Sequence, residues 1–397
     1  MAGNDHIIIL GMNKHTPTEA TALKNANPKI QVTTIQDTFQ NDTVKVQATL
    51  YDLSTSDGLN KFMAPLGLPA PQSARVKTAI SGAGDDARDE IAQLALAWSK
   101  AEKGGTIPAR FVLSGHSFGE SIWGGDESFM NGTLTRKSLA QLAAAMPKAA
   151  AQVLHLCLAA CYNGGKSNME EWHALFPKLK TMWAYDGSAP GTFSGATAHL
   201  ARWEKATRGN VEKLQPDLLK GLRKGDHLAV WSRLGGYQQA TPTESSSVLR
   251  PRYFSGLATF NSHFRGESVV TNSQQGPLRE HYNTIQALLG CTDITAAERK
   301  QFESARDQTI RLLFYKEVSQ RFQQTYQAQI KSGFSVLKQT TPDFSKLSRK
   351  EALTVILSFE SELSRRNPRP KEAQSLLPLL TQGLRDLQPS HIPENWI

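Results

Sequence analysis

Two short segments carry the residue types that do chemistry. One reads Ser114-Gly115-His116-Ser117-Phe118-Gly119 and the other Ala159-Ala160-Cys161-Tyr162-Asn163-Gly164. Each ends an apolar run. A thiol is a weak nucleophile until it loses its proton, and a nearby imidazole can take or balance that proton. Glycines let a substrate backbone approach closely. Main-chain N–H groups of Ser117 and Cys161, turned inward, would cradle a developing oxyanion. Two other chemistries share these residues. Gly115-His116-Ser117-Phe118-Gly119 matches G-x-S-x-G, which makes Ser117 the nucleophile of a serine hydrolase if a helix follows directly. The next residues, Glu120 to Asp126, hold two glycines and no apolar period, which favours a loop. His155, Cys157 and Cys161 offer metal-ligand types, but no second close-spaced pair accompanies them, and zinc wants four ligands or three plus water. Cys157, in the middle of an apolar run, reads as structural, and Cys291 sits after Gly290 in a turn.

Elements with alternating periods must hold these groups. His6-Ile7-Ile8-Ile9-Leu10-Gly11 predicts a buried central strand ending in a turn. Val44–Leu53, Ala109–Gly115, Val153–Ala160 and Leu179–Tyr185 predict further strands. Helical spacing marks Ala87–Lys103, with Asp85 or Asp86 as its cap, Ser138–Ala150, and a short helix at Glu170–Phe176. Strands alternating with helices predict an α/β fold with a mainly parallel sheet and helices on both faces. In such sheets functional groups gather beyond the carboxyl ends of the strands, where His116 and Cys161 both fall.

Residues 1–235 are expected to form this domain. Residues 236–256 are rich in Ser, Thr, Pro and Gln and read as a linker, with an irregular stretch to 280. Residues 281–397 read as helical. Thr295–Glu298 and Ser348–Glu351 fit capping boxes. Ile310, Phe314, Val318, Phe322, Tyr326 and Ile330 recur every fourth residue, which predicts the packing face of one long helix. A second helix is expected from Ser348 through Leu363, ended by Pro368 and Pro370.

The 397 residues carry a formal charge of +9, with 39% hydrophobic and 20% charged residues, as in an ordinary folded chain. The basic residues are scattered, so the excess reads as a solvated surface rather than a nucleic-acid site. Three cysteines are too few for a disulfide framework, which favours a reducing compartment, here the cytoplasm. No secretory signal and no run of about 18 apolar residues is found, so no membrane span is expected.

Strand-Ser-Gly-His, a glycine-rich loop, a helix, and an apolar strand ending Ala-Cys-x-x-Gly resembles the caspase-like (clan CD) cysteine peptidases, nearest to the bacterial CHAT-type members. The 45 residues from His116 to Cys161 are close to the clan's separation. The resemblance is good over Phe111–Gly165, loose over about residues 5 to 210, and absent from the last third. It implies a three-layer caspase-like sandwich and endopeptidase activity in limited proteolysis of a protein or peptide substrate. Cys161 and His116 would be catalytic, with the Ser117 and Cys161 amides as oxyanion hole. Thr181–Gly191 would form the next strand and pocket loop, with Trp183, Asp186 and Ser188 binding substrate. No metal or organic cofactor is implied, though some relatives need calcium. The helical region would meet a regulatory partner or the substrate. Two departures matter. Ser117 stands where the clan has Gly. Ala159 stands where several members carry Asp, Glu or Gln, so a basic or Asn-type preference built on that acid is unsupported. Asp186, Asp126 or Glu127 would have to supply an acidic pocket instead. A catalytically inactive interaction protein on the same fold is the third reading.

Overall fold

The computed structural model describes residues 5–36, 42–83, 87–119, 121–124, 132–191, 195–215, 218, 228–239, 244–270 and 276–388. Asp85, Asp86, Asp126 and Glu127 lie outside them. The chain forms two units, Met1–Ala240 and Thr241–Asn395.

In the first unit the strands are, in chain order, β1 His6–Gly11, β2 Gln31–Gln36, β3 Thr43–Val46, β4 Thr49–Asp52, β5 Arg110–Ser114, β6 His116–Ser117, β7 Ser121–Trp123, β8 Thr133–Thr135, β9 His155–Ala159, β10 Thr181–Tyr185, β11 Leu228–Ser232 and β12 Gly236–Gln239. The helices are α1 Thr16–Ala26, α2 Ser56–Leu66, α3 Ala70–Ser81, α4 Arg88–Glu102, α5 Arg136–Ala145, α6 Pro147–Ala150, α7 Lys166–Ala174 and α8 Ala196–Ala206. Seven strands make one sheet in the order β12-β11-β10-β9-β5-β1-β2. The pairings from β2 across to β10 are parallel, and β11 and β12 join antiparallel.

Period-two alternation sends side chains to both faces of this sheet. Ile8, Leu10, Phe111, Leu113, Leu156, Leu158 and Met182 enter one core with α2 to α5 and α7. Ile7, Ile9, Val112, Cys157 and Trp183 enter the other, against Leu23 of α1 and Leu200 and Trp203 of α8. Both faces are covered, which is why these strands read as unbroken apolar runs. Trp98, Phe111 and Phe176 pack edge to face at 6.3–6.4 Å inside the first core. On the other face Arg110 and Glu204, both fully buried, pair at 3.2 Å and pin β5 to α8.

Several expectations need correction. Val44–Leu53 is not one sheet strand. Gln47 takes a left-handed φ of 55° and folds the segment into the β3–β4 hairpin, outside the main sheet. The sheet's second strand is β2, an edge strand with mostly solvated side chains and hence no apolar run to read. Ser138–Ala150 is two helices, because Pro147 cannot donate to a carbonyl one turn back. Residues 236–280, expected to be irregular, hold regular elements among the described residues. Gly236–Gln239 is the sheet's edge strand β12, and a 19-residue helix begins at Ser246.

The second unit is helical among the described residues: α9 Ser246–Phe264, α10 Gly276–Gly290, α11 Ala296–Leu313, α12 Tyr315–Thr325, α13 Gln327–Val336, α14 Arg349–Arg365 and α15 Lys371–Pro378, with a π turn at Leu379–Arg385. Both capping boxes form, at Thr295 and Ser348. The long helix does not. The chain breaks at Phe314 and Tyr326 into three helices. An ideal helix turns about 100° per residue, so a four-residue repeat drifts about 40° each step. Over five steps the stripe would wind halfway round a straight rod. The two breaks re-aim it, and Ile310, Phe314, Val318, Phe322 and Ile330 are all buried.

Candidate active site

The site begins in the register of two neighbouring strands. Ser114 of β5 lies beside Ala159 of β9, and two residues beyond each stand His116 and Cys161. This edge is one strand from the point where the sheet order reverses, between β1 and β5. The end of β5 is held from below, where the Ser114 hydroxyl donates to Glu19 Oε1 of α1 at 2.9 Å. Burial pushes that carboxyl's pKa up, and the serine bond only partly offsets it.

Beyond Ser114 the chain enters a second, three-stranded antiparallel sheet, β6-β7-β8. His116 pairs with Trp123 and Ser117 with Ile122. The His116 imidazole is exposed, its ring centroid 6.3 Å from that of Trp123. Ser117 is 1% exposed, and its hydroxyl accepts from the Gly119 N–H and from Asn163 Nδ2, both at 2.9 Å. A strand and hairpin therefore follow the G-x-S-x-G motif on its described residues, where a nucleophile elbow needs a helix.

Cys161 opens the turn after β9 and is half-buried. Its sulfur accepts from the Ala189 N–H at 3.3 Å. Tyr162 follows with a left-handed φ of 61°, and its N–H is spent on Gly187 O at 2.7 Å. A bulky residue adopts that backbone only when its surroundings fix it. Gly164 donates to Tyr185 O, and a Cβ there would lie 2.5 Å from the Asp186 nitrogen, so only glycine lets this turn seat against the end of β10. Gly119 repeats the device on the other side. Its φ is +104° and a Cβ would meet Tyr162 O at 2.9 Å.

Asn163, fully buried, ties the two loops together. Its Nδ2 donates to Ser117 Oγ at 2.9 Å and to Cys161 O at 2.8 Å, while Oδ1 accepts from Trp172 Nε1 at 3.2 Å. The histidine loop and the cysteine loop are thus joined through neighbours of both functional residues. Asn163, Trp172 and Ala189 carry no sequence signal for these contacts. The Asn-Gly pair at 163–164 signals a turn, but nothing in it reveals what the amide reaches.

The structure brings His116, Ser117, Cys161, Asp186 and Ser188 to this end of the sheet. Asp186, half-buried, starts the loop that bonds to the cysteine turn through Gly187 and Ala189. The Ser188 hydroxyl in that loop is buried without a hydrogen-bond partner among the described residues. Trp183 is a correction. It is fully buried in β10, packs in the α1–α8 core, and donates to Tyr185 OH at 3.2 Å, so it offers no surface to a substrate. A continuous buried strand hides its side chains on both faces, which the sequence of one strand does not reveal. His155 and Cys157 lie inside the sheet. His155 Nδ1 bonds Thr181 Oγ1 at 2.8 Å, and burial, with Glu19 adding to it, pushes the Cys157 thiol well up. Among the described residues no group of three His, Cys, Asp or Glu is placed to hold a metal ion.

The amides of Gly119, Tyr162 and Gly164 are engaged, so an oxyanion reaching this turn would have to be met by others. A half-buried thiol that receives an N–H, beside a loop bearing an exposed imidazole, is chemically suited to acyl transfer. No protein-family model matches the chain, and no curated protein matches its sequence.

Proposed function

We propose that this chain is a cysteine endopeptidase with a caspase-like catalytic domain, acting through Cys161 and His116. One observation carries the reading. The loops bearing these two residues leave adjacent parallel strands in register and are tied to each other by Asn163. The Cys161 sulfur attacks the scissile carbonyl and forms a thioacyl-enzyme. His116 takes the thiol proton and returns it to the leaving amine. Water, deprotonated by the same imidazole, then releases the acyl group. The amides of Ser117 and Cys161 hold the oxyanion, and Asp186 and Ser188 line the pocket side. The substrate is a protein cut at few sites, and the helical unit meets it or a regulator.

The serine-hydrolase alternative is weaker on this geometry. Ser117 is buried, its hydroxyl already accepts two bonds, and it sits on a hairpin strand. Cleavage of a fluorogenic peptide library by four proteins separates the readings. Wild type should cleave, Cys161→Ala and His116→Ala should lose activity by at least about 10³-fold, and Ser117→Ala should retain a measurable share. Activity that survives Cys161→Ala but vanishes in Ser117→Ala would reverse the assignment. No cleavage by any of the four, together with an unreactive Cys161, would favour a non-catalytic interaction protein.

A further inference from the structure

The helical unit contains a cavity of about 820 Å³, in the range of small-molecule sites. Its walls are the end of α9 and the segment after it, the end of α11, the start of α12, and the entry to α14. Gly266 fixes one corner, since its backbone sits so close to the start of α14 that a Cβ would lie 2.7 Å from the Lys350 nitrogen.

The lining is two-sided in chemistry. Val269, Val270 and Leu347 give it apolar surface, backed by the nearly buried Leu312 and Leu313, and Val269 is 70% exposed. The charges divide unevenly. The Glu267 carboxylate is held by Arg265 at 2.7 Å, and Lys346 is held by Asp343 at 2.8 Å. Burial pushes the Glu317 carboxyl up, toward its neutral form. Arg349 is spent on structure, donating to the carbonyls of Phe264, Leu384 and Arg385 and lying over the rings of Phe264 and Tyr315. Lys316, which acts on the adjacent Glu317, and Lys350, which acts more weakly than Arg265 on Glu267, complete the set. Both are exposed at the cavity, and neither closes an ion pair with a described residue.

We propose that this cavity binds a single-chain anionic amphiphile, its phosphate or carboxylate head between Lys316 and Lys350 and its apolar body along Val269, Val270 and Leu347. An apolar lining alone would take a neutral body, and two ammonium groups alone would take an inorganic anion. Their juxtaposition selects a molecule with both parts. The site is independent of the peptidase reading.

The test is calorimetric titration of the full chain with octyl phosphate, n-octanol, octyltrimethylammonium and inorganic phosphate, each alone. Octyl phosphate should bind, and the other three should bind at least about tenfold more weakly. Lys316→Gln/Lys350→Gln should weaken octyl phosphate about tenfold or more, as the loss of two charge-assisted contacts implies, with an unchanged melting temperature. Raising salt should weaken wild-type binding. Equal binding of octanol, equal binding of bare phosphate, or an octyl phosphate affinity unmoved by both salt and the double variant would each overturn the proposal.

Discussion

Replacing Asn163 by Asp changes one NH2 group for an oxygen and tests the tie between the two loops. The amide is fully buried, and its Nδ2 serves Ser117 Oγ and Cys161 O. In the aspartate both contacts lose their donor. Ser117 can turn its hydroxyl round and donate, but the Cys161 carbonyl then faces a carboxylate oxygen with no proton between them. An unsatisfied buried acceptor costs about 1–3 kcal/mol, more beside a charge. With the carboxylate charge beside the unpaired carbonyl, the cost lies at the upper end of that range, roughly 3 kcal/mol. For a unit of this size that lowers the melting temperature by roughly 6–12 °C. Once protonated, the new carboxyl can donate again, so the loss should shrink on going from pH 7 to pH 5. The functional readout is the pH profile of Cys161 alkylation by iodoacetamide, which needs no substrate. If the tie positions the dyad, Asn163→Asp and His116→Ala should alter that profile in the same direction. A profile changed by His116→Ala but identical in Asn163→Asp would leave the dyad standing and refute the positioning role. An unchanged melting temperature in Asn163→Asp would refute the energetic argument itself.

Two buried imidazoles should give acid sensitivity that can be separated by unit. His155 has its pKa lowered to about 4 by burial, then by Arg110 and Lys180, and His281, stacked on Tyr253 with both ring nitrogens unpartnered among the described residues, is lowered to about 4 by burial. Because each folded value lies below the unfolded value of about 6.5, the stability they contribute is complete above pH 6.5 and is lost as pH falls toward 4. The loss is about 3 kcal/mol for His155 and about 2 for His281, which borders an open pocket. His155→Asn and His281→Phe should each flatten the pH dependence of chemical denaturation, and curves parallel to wild type would contradict this. The buried pair predicts an asymmetry. Glu204→Leu strands the Arg110 charge and should cost about 3–5 kcal/mol, whereas Arg110→Met leaves Glu204 still bonded to Arg208 and Asn27 and should cost less. Equal losses in urea denaturation would show that Arg208 does not hold the carboxylate.

The sequence by itself determined what a local pattern can encode. Uninterrupted apolar runs such as Ile7–Leu10 and Phe111–Leu113 marked sheet strands buried on both faces, because such burial leaves no polar face to alternate. Ser348 with Glu351 marked a helix start, because the capping bonds span only three residues. The alternation of strands and helices placed His116 and Cys161 beyond the carboxyl ends of their strands. Where an element's identity depends on what it packs against, the pattern misled. Strand β2 is polar because it is an edge, Gly236–Gln239 looked like linker for the same reason, and the stripe from Ile310 to Ile330 carries no local mark of its two breaks. Trp183, expected to bind substrate, is sealed by α1 and α8, elements distant in the chain. The tertiary structure alone decided that the Asn163 amide reaches Ser117, 46 residues away in sequence, because that contact exists only once β5 and β9 lie side by side.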